Sequence, residues 1–138
     1  MTNKNILICV LGILLIGNLN AQNNNLLGTW VKNNGEIQRS FDNVFYETFT
    51  SNGVIGIRGT YNIRGNSLIL TPTHLHGNIF NFEPRWYSQA ELRGIIRQPD
   101  TWEIVEFFFR SSTQTYILRG NTLTLTAGND PSTVWTRK

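Results

Sequence analysis

A repeated hairpin constrains the fold more than any other feature of this 138-residue chain. Residues 59–71 recur with drift as residues 114–126, and a Thr-Tyr pair, an Arg-Gly-Asn turn and a Leu-x-Leu-Thr strand keep their spacing in both copies. Gly-Asn supplies the positive φ that a two-residue hairpin turn needs, and alternating strands flank it. The repeat therefore predicts a protein built from antiparallel β-hairpins.

Strand patterns continue along most of the chain. Turn signals such as those at residues 33–35 and 51–53 separate short stretches of strand-forming residues. Between residues 54 and 64, apolar and polar side chains alternate, which is typical of a sheet with one face in solvent. The pattern predicts about nine strands, at residues 28–31, 36–41, 44–50, 54–63, 67–76, 102–110, 113–118, 123–127 and 133–138.

Residues 77–102 break this rhythm with glycine and proline. Within them, Ser88-x-x-Glu91 resembles a helix capping box, and apolar residues follow at helical spacing, so we predict one short helix near residues 88–97. Strands joined by short loops leave two exposed edges unless the sheet closes on itself. We therefore predict an all-β fold: an up-and-down antiparallel barrel of about eight to nine strands with one short mid-chain helix.

The first 21 residues have the composition of a secretory signal peptide. Lys4 precedes an almost unbroken apolar run at residues 6–16, and Ala21 is the small residue expected at a cleavage site. The run is shorter than the roughly 20 residues that a membrane-spanning helix needs. We expect residues 1–21 to be removed and residues 22–138 to form one barrel domain. We expect that domain to have no transmembrane span and to be exported to the periplasm or the cell exterior.

Cysteine content and charge argue against a disulfide and against a nucleic-acid partner. Cys9, the only cysteine, lies within the apolar run, so the exported domain is expected to have no disulfide. The formal net charge is +3, and loss of Lys4 with residues 1–21 leaves +2. The basic residues are scattered singly rather than in runs, which argues against a nucleic-acid partner. We expect a monomer.

The two ends of the predicted domain resemble the lipocalins and related calycins. Gly28-Thr29-Trp30 is similar to the Gly-x-Trp signature of that family, and Arg137 is similar to the arginine of its last strand. The repeated hairpins resemble those of small bacterial lipocalin-like proteins. The resemblance implies a lipocalin-like barrel in which Trp30 lies across one end and Arg137 packs on its indole, with Gly28 in the same closing structure. Unlike the larger lipocalins, the chain is short, lacks a disulfide and has its helix mid-chain.

Apolar and aromatic side chains on the predicted strands are candidates for the barrel interior. Sites for small apolar ligands are concave and mostly apolar, so such side chains could line a site at the end opposite Trp30, and a fully packed interior is the alternative. Arg58, Arg64 or Arg119 could contact a ligand at the rim if they point inward. The interior candidates are Tyr61, Ile63, Trp102, Phe107, Phe109 and Tyr116.

Candidates for metal binding and catalysis are few. His74 and His76, the only histidines, lie two apart in a predicted strand and therefore point to the same side. They are weak metal candidates because no recognisable motif supplies a third ligand. Glu103 and Glu106 lie three apart, which in a strand places them on opposite faces and makes them a poor catalytic pair. The predicted domain has no nucleophile elbow, phosphate loop or cysteine nucleophile, so we expect neither enzyme activity nor a cofactor.

Two functional hypotheses follow. The first is an exported, non-enzymatic lipocalin-like barrel that carries a small apolar ligand. The second is a barrel with a solid core that acts as an envelope or protein-interaction module through its Phe-rich segment and its helix. A void of at least ~300 Å³ between Tyr61, Ile63, Phe109 and Tyr116 would favour the carrier.

Overall fold

The structure, a computed structural model, describes residues 25–53 and 55–138. The predicted signal peptide, residues 1–21, lies outside the described residues. The strands are β1 (Gly28–Lys32), β2 (Ile37–Phe41), β3 (Phe45–Thr50), β4 (Gly56–Arg64), β5 (Ser67–His76), β6 (Trp86–Ser88), β7 (Ser112–Arg119), β8 (Thr122–Thr126) and β9 (Thr133–Arg137). The helices are α1 (Gln89–Ile95) and α2 (Pro99–Phe108), with 3-10 turns at Asn33–Gly35 and Gly77–Phe80.

Eight strands form a closed antiparallel barrel. The order around the barrel is β1, β2, β3, β4, β5, β7, β8 and β9, and β9 pairs back with β1. The ninth strand, β6, pairs with the end of β5 outside the ring. The prediction of an all-β antiparallel barrel of eight to nine strands is thus confirmed. No helix in the described part of the chain combines the length and apolar character needed to cross a bilayer.

The two copies of the hairpin adopt the predicted turn. Arg64 pairs with Ser67 and Arg119 pairs with Thr122, so each turn consists of the two residues Gly-Asn. The glycines have φ of 60° and 56°, the left-handed region that glycine enters without steric cost. Because neighbouring strands are antiparallel, both turns lie at the same end of the barrel, which we call the closed end. The opposite end, where α1 and α2 lie, is the open end.

The prediction of a strand at residues 102–110 is wrong, because this segment belongs to helix α2. Pro99 occupies the first turn, where its missing N–H costs nothing, and Asp100 follows at the positive end of the helix dipole. Trp102 and Val105 are buried on one face, and the Trp102 indole donates to Glu106 Oε1 at 2.7 Å. Trp102 and Val105 already had helical spacing in the sequence, but the three consecutive phenylalanines favoured a strand. The described residues therefore contain two helices instead of one.

Helix α1 begins where the capping box predicts. The Ser88 hydroxyl accepts from the Glu91 backbone N–H, and the Glu91 carboxylate accepts from the Ser88 backbone N–H. This reciprocal pair satisfies two donors that the first turn would otherwise leave free. Hydrogen bonding to Ser88, followed by that to Arg85, lowers the pKa of Glu91.

Strand β5 belongs to both parts of the fold. Its first half pairs with β7 in the barrel, and its last residues pair with β6. Between the halves, Thr73 is an extra residue, because the register with β4 moves from Pro72 opposite Gly59 to His74 opposite Arg58. Such a bulge bends the strand. The bent end of β5, with β6 and the two helices, encloses a second apolar core outside the main core of the barrel.

Candidate functional site

Trp30 and Arg137 face each other at the closed end. Trp30 is fully buried, and its Cα is paired with that of Arg137 between β1 and β9. The Arg137 guanidinium carbon lies 4.3 Å from the centre of the indole ring. The Trp30 indole donates to the Leu26 carbonyl at 2.9 Å. We call Trp30 and Arg137 the closing pair, because the two side chains join the first barrel strand to the last.

The backbone at the start of the domain completes this closure. Arg137 donates to the carbonyls of Asn25, at 2.7 Å, and Leu27. Gly28 has a φ of 112°, and a Cβ at this position would lie 3.1 Å from Arg137 Nη1. Glycine therefore lets the guanidinium approach the chain closely. These contacts cover Trp30 at the closed end and tie the start of the domain to the last strand.

Three of the predicted interior residues pack the barrel instead of lining a shared cavity. Ile63 and Tyr116 are 4% and 9% exposed and belong to the main core. Tyr61 packs on that core, with its ring edge-on to Phe41 at 5.1 Å and its hydroxyl donating to the Asp42 carbonyl. The closed-end half of the barrel is therefore solid.

The other three predicted interior residues are not on barrel strands, because the segment that carries them is helical. Trp102 is buried in the second core, and Phe109 packs at the edge of that core. Phe107 is 64% exposed, and the exposed part of its ring borders the open end of the barrel. The void proposed between Tyr61, Ile63, Phe109 and Tyr116 therefore does not form, since Phe109 belongs to a different core from Ile63 and Tyr116.

A different set of residues forms a cleft of about 380 Å³ at the open end. We call it the upper cleft. Inward-facing side chains of β2, β3, β4, β5 and β7 form its floor and walls, and the end of α2 lies at its mouth. A recess of about 180 Å³ adjoins it, and Arg39 and Gln114 border both spaces. The apolar lining of the cleft consists of Ile57, Leu70, Pro72, Phe107 and Phe108.

Arg39 lies where the cleft meets the recess. Its Nε donates to Thr48 Oγ1 at 2.8 Å, across the β2–β3 pair. Its guanidinium carbon lies 4.8 Å from the ring centre of Trp135 and 6.0 Å from that of Tyr46. In residues 25–53 and 55–138, the ion pair shorter than 4 Å is Arg85–Glu91, so Arg39 has no carboxylate partner there.

Partial removal from water shifts the pKa values of the ionisable groups that line the upper cleft and its recess. Burial lowers the pKa of Arg39 to about 10, with Tyr46 acting in the opposite direction. Burial also raises the pKa of Tyr46 to about 12 despite the nearby Arg39. For Lys32, which borders the recess, burial first and then repulsion from Arg39 lower the pKa. At neutral pH the cleft therefore holds a charged guanidinium and a neutral phenol.

A larger cleft, of about 530 Å³, lies on the outer wall of the barrel. Its lining includes Asp42, Glu47 and Arg58, and Glu47 is directly opposite Arg58 in the β3–β4 register. Charges of both signs therefore meet at this surface, two carboxylates and one guanidinium. The upper cleft differs because its lining includes arginine but no carboxylate. We take the upper cleft as the candidate site.

The two histidines lie on or beside this outer wall. His74 Nδ1 is 2.9 Å from Thr73 Oγ1, and burial followed by repulsion from Arg58 lowers its pKa. His76 packs edge-on against the rings of Phe49 and Trp86. Among the residues that the structure describes, no three His, Cys, Asp or Glu side chains are grouped closely enough to hold a metal ion.

The candidate site contains Arg39, whereas the sequence suggested Arg58, Arg64 or Arg119. Arg58 lies over the Trp86 ring at 4.8 Å on the outer wall, while Arg64 and Arg119 are exposed beside the closed-end turns. The overlooked Arg39 lies between Ile37 and Phe41 on the inward face of β2. That alternation, a single arginine at an interior position, was the available signal.

A solved structure of another protein shares this fold. No protein-family model matches the chain, and no curated protein matches it. The structure is similar to the crystal structure of an uncharacterized protein from Bacteroides eggerthii, with a TM-score of 0.52 and 11% sequence identity. The match covers 82% of this chain and 99% of that one. The likeness is one of fold.

Proposed function

We propose that this chain is an exported, non-enzymatic, lipocalin-like binding protein that holds a small, largely apolar molecule in the upper cleft. The observation that supports the proposal is the cleft itself, about 380 Å³ at the end of the barrel opposite the closing pair. Pockets for small molecules commonly measure between about 300 and 1,000 Å³. The upper cleft falls in this range, and the adjoining recess enlarges it.

The lining of the upper cleft supports binding more than catalysis. Apolar side chains provide most of the contact surface, and the polar groups come from Arg39, Tyr46, Thr48, Arg110, Ser111, Ser112 and Gln114. This mixture is typical of sites that bury an apolar ligand and orient it through a small number of hydrogen bonds. The described lining has no histidine, carboxylate or cysteine to act as a general base or nucleophile.

The closing pair supports the lipocalin-like part of the proposal. A fully buried tryptophan on the first strand, covered by an arginine from the last, fixes which end of the barrel is sealed. A ligand of the upper cleft would then enter from the end that α2 borders. The alternative is a barrel with a solid core. Packed side chains fill the closed-end half as that alternative expects, but the open-end half contains the upper cleft.

Titration with two eight-carbon probes, octanol and octanoate, tests the proposal by NMR. We expect at least one probe to produce saturable shifts in the backbone amides of Thr48, Ile57 and Leu70, which surround the cleft. Ser112→Phe should abolish these shifts, because Ser112 is paired with the inward-facing Leu70 at the mouth. Thr113→Phe is the matched control, since the next side chain along the strand points outward and is exposed.

The same titration can contradict the proposal. Absence of saturable shifts with both probes and with the corresponding eight-carbon phosphate and ammonium compounds, up to their solubility, would rule out the upper cleft as a site for small apolar molecules. Equal shifts in the Ser112→Phe and Thr113→Phe variants would place binding elsewhere on the protein.

Export is a separate part of the proposal, supported by the pattern of Lys4, the apolar run and Ala21 in the sequence. N-terminal sequencing of the protein recovered from the periplasm or medium of a bacterial host should begin at Gln22. Recovery of the chain in the cytoplasm with Met1 or Thr2 at its start would contradict export without affecting the binding proposal.

A further inference from the structure

We propose that the ligand of the upper cleft carries an anionic head group, of the carboxylate or phosphate type, and that Arg39 binds this group. The inference rests on the proposed function and adds the chemistry of the ligand to it. The apolar tail would lie against Leu70, Pro72 and Phe108 toward the mouth of the cleft. The head group would lie deeper, where the cleft meets the recess.

Arg39 has donors that the described protein does not use. Its Nε is engaged by Thr48, but no residue of the described chain accepts a hydrogen bond from its two Nη atoms. No fully buried side-chain nitrogen or oxygen in the described residues lacks a partner, so these Nη atoms reach the space of the cleft. Two parallel N–H donors on a guanidinium match the two oxygens of a carboxylate or phosphate.

Two aromatic rings and a hydroxyl hold the Arg39 guanidinium in place. The faces of Trp135 and Tyr46 lie 4.8 and 6.0 Å from its central carbon, and Thr48 fixes its Nε. Aromatic faces attract a cation without neutralising it. A charge that is largely removed from water is costly unless an opposite charge accompanies it. The structure therefore holds a pre-positioned cation whose counter-charge is absent from the described protein atoms.

Two further cations border the upper cleft and its recess. Lys32 Nζ lies 5.0 Å from the centre of the Trp135 ring and borders the recess, and Arg110 borders the cleft. Asp130 is the acidic residue in the described lining of the recess, and it is exposed at the rim. Mutual repulsion between Lys32 and Arg39 contributes to the lowered pKa of Lys32. An anion placed between these cations would relieve that repulsion.

Matched probes test the inference in the unmodified protein first. Octanol, octanoate, octyl phosphate and octylammonium share one tail and differ in the charge of the head group. At pH 7 and low salt we expect octanoate or octyl phosphate to bind about tenfold or more tightly than octanol, because hydrogen bonds to charged groups are the stronger ones. Octylammonium should bind most weakly. The tighter of the two anionic probes identifies which head group the site accepts.

Variants then assign the preference to Arg39. Arg39→Met should bring the affinity for octanoate down to that for octanol, and Arg39→Lys should keep part of the preference because it retains the charge without the paired donors. Arg64→Met removes the same charge from an exposed position at the closed end and should leave the preference intact.

Each contrary result has a distinct meaning. Equal binding of octanol and octanoate by the unmodified protein would overturn the inference and leave the proposed function standing. Binding of octylammonium as tight as that of octanoate, or a preference for anions that survives in Arg39→Met, would also overturn it. Failure of all four probes would overturn both the inference and the proposed function.

Discussion

Replacing Trp30 with alanine is expected to lower the free energy of unfolding by about 3–5 kcal/mol, the range found when a buried tryptophan is truncated. Trp30 is fully buried, with 0% of its surface accessible to solvent. The substitution would also remove the indole donor to Leu26 and the face on which Arg137 lies. Urea denaturation followed by circular dichroism would measure the loss.

Trp86→Ala is the matched control for this prediction. Trp86 has the same side chain but lies half-buried on the outer wall, against Phe49, His76 and Arg58. Its loss should cost on the order of 1 kcal/mol, because partly exposed residues leave no sealed cavity when truncated. A cost below about 1 kcal/mol for Trp30→Ala, or equal costs for both tryptophans, would show that Trp30 does not hold the barrel closed.

Gly59→Ala is expected to destabilise the barrel by about 3 kcal/mol or to prevent folding. A Cβ at this position would lie 2.0 Å from the Thr71 carbonyl oxygen and 2.7 Å from the Pro72 Cα. Both contacts are with backbone, so no side chain can rotate away. The bulged register of β5 against β4 would have to change to make room. Thermal and urea unfolding, together with the yield of folded protein, would measure the effect.

Gly94→Ala provides the opposite expectation with the same chemical change. Gly94 lies within α1, and a Cβ there would meet no atom within 4 Å. Alanine favours helix by up to about 1 kcal/mol over glycine, so this variant should be as stable as the unmodified protein or slightly more stable. If Gly59→Ala were tolerated equally well, the close approach of β4 and β5 would be wrong.

The features that could be predicted from the sequence depend on neighbours within a few residues. The Gly-Asn turns and the Ser88–Glu91 cap are local, and the structure has each of them where the pattern places it. The alternation of residues 54–64 likewise reports a strand with two different faces. Closure into a barrel followed from the count of such strands, because a meander otherwise leaves its edges free.

The segment from Trp102 to Arg110 shows where local preference misleads. Three consecutive phenylalanines favour strand, but β-propensity reflects a packing environment more than the backbone. Pro99 at the helix start and the buried pair Trp102 and Val105 were the better signal. Strand β6 was missed for a different reason, since its three residues become a strand only by pairing with the far end of β5.

The sequence predicted at which end of the barrel the candidate site lies, but not which residues line it. A cleft is the space left after packing, so it depends on how all the inward side chains fill the tube. The bulge at Thr73 and the helix after Pro99 decide which side chains reach the mouth; Pro72 was compatible with an edge or a bulge, and the helix was not predicted. Arg39 could have been found, because the alternation of β2 already placed it inside.

The position of the closing pair also affects the order in which the barrel strands can pair during synthesis. The strand of Trp30 gains its second neighbour only after Arg137, far later in the chain, has been made. Until then the first strand has one free edge during synthesis, and contacts between such distant residues form slowly. The pairing that closes the barrel is thus available only once β9 has been made.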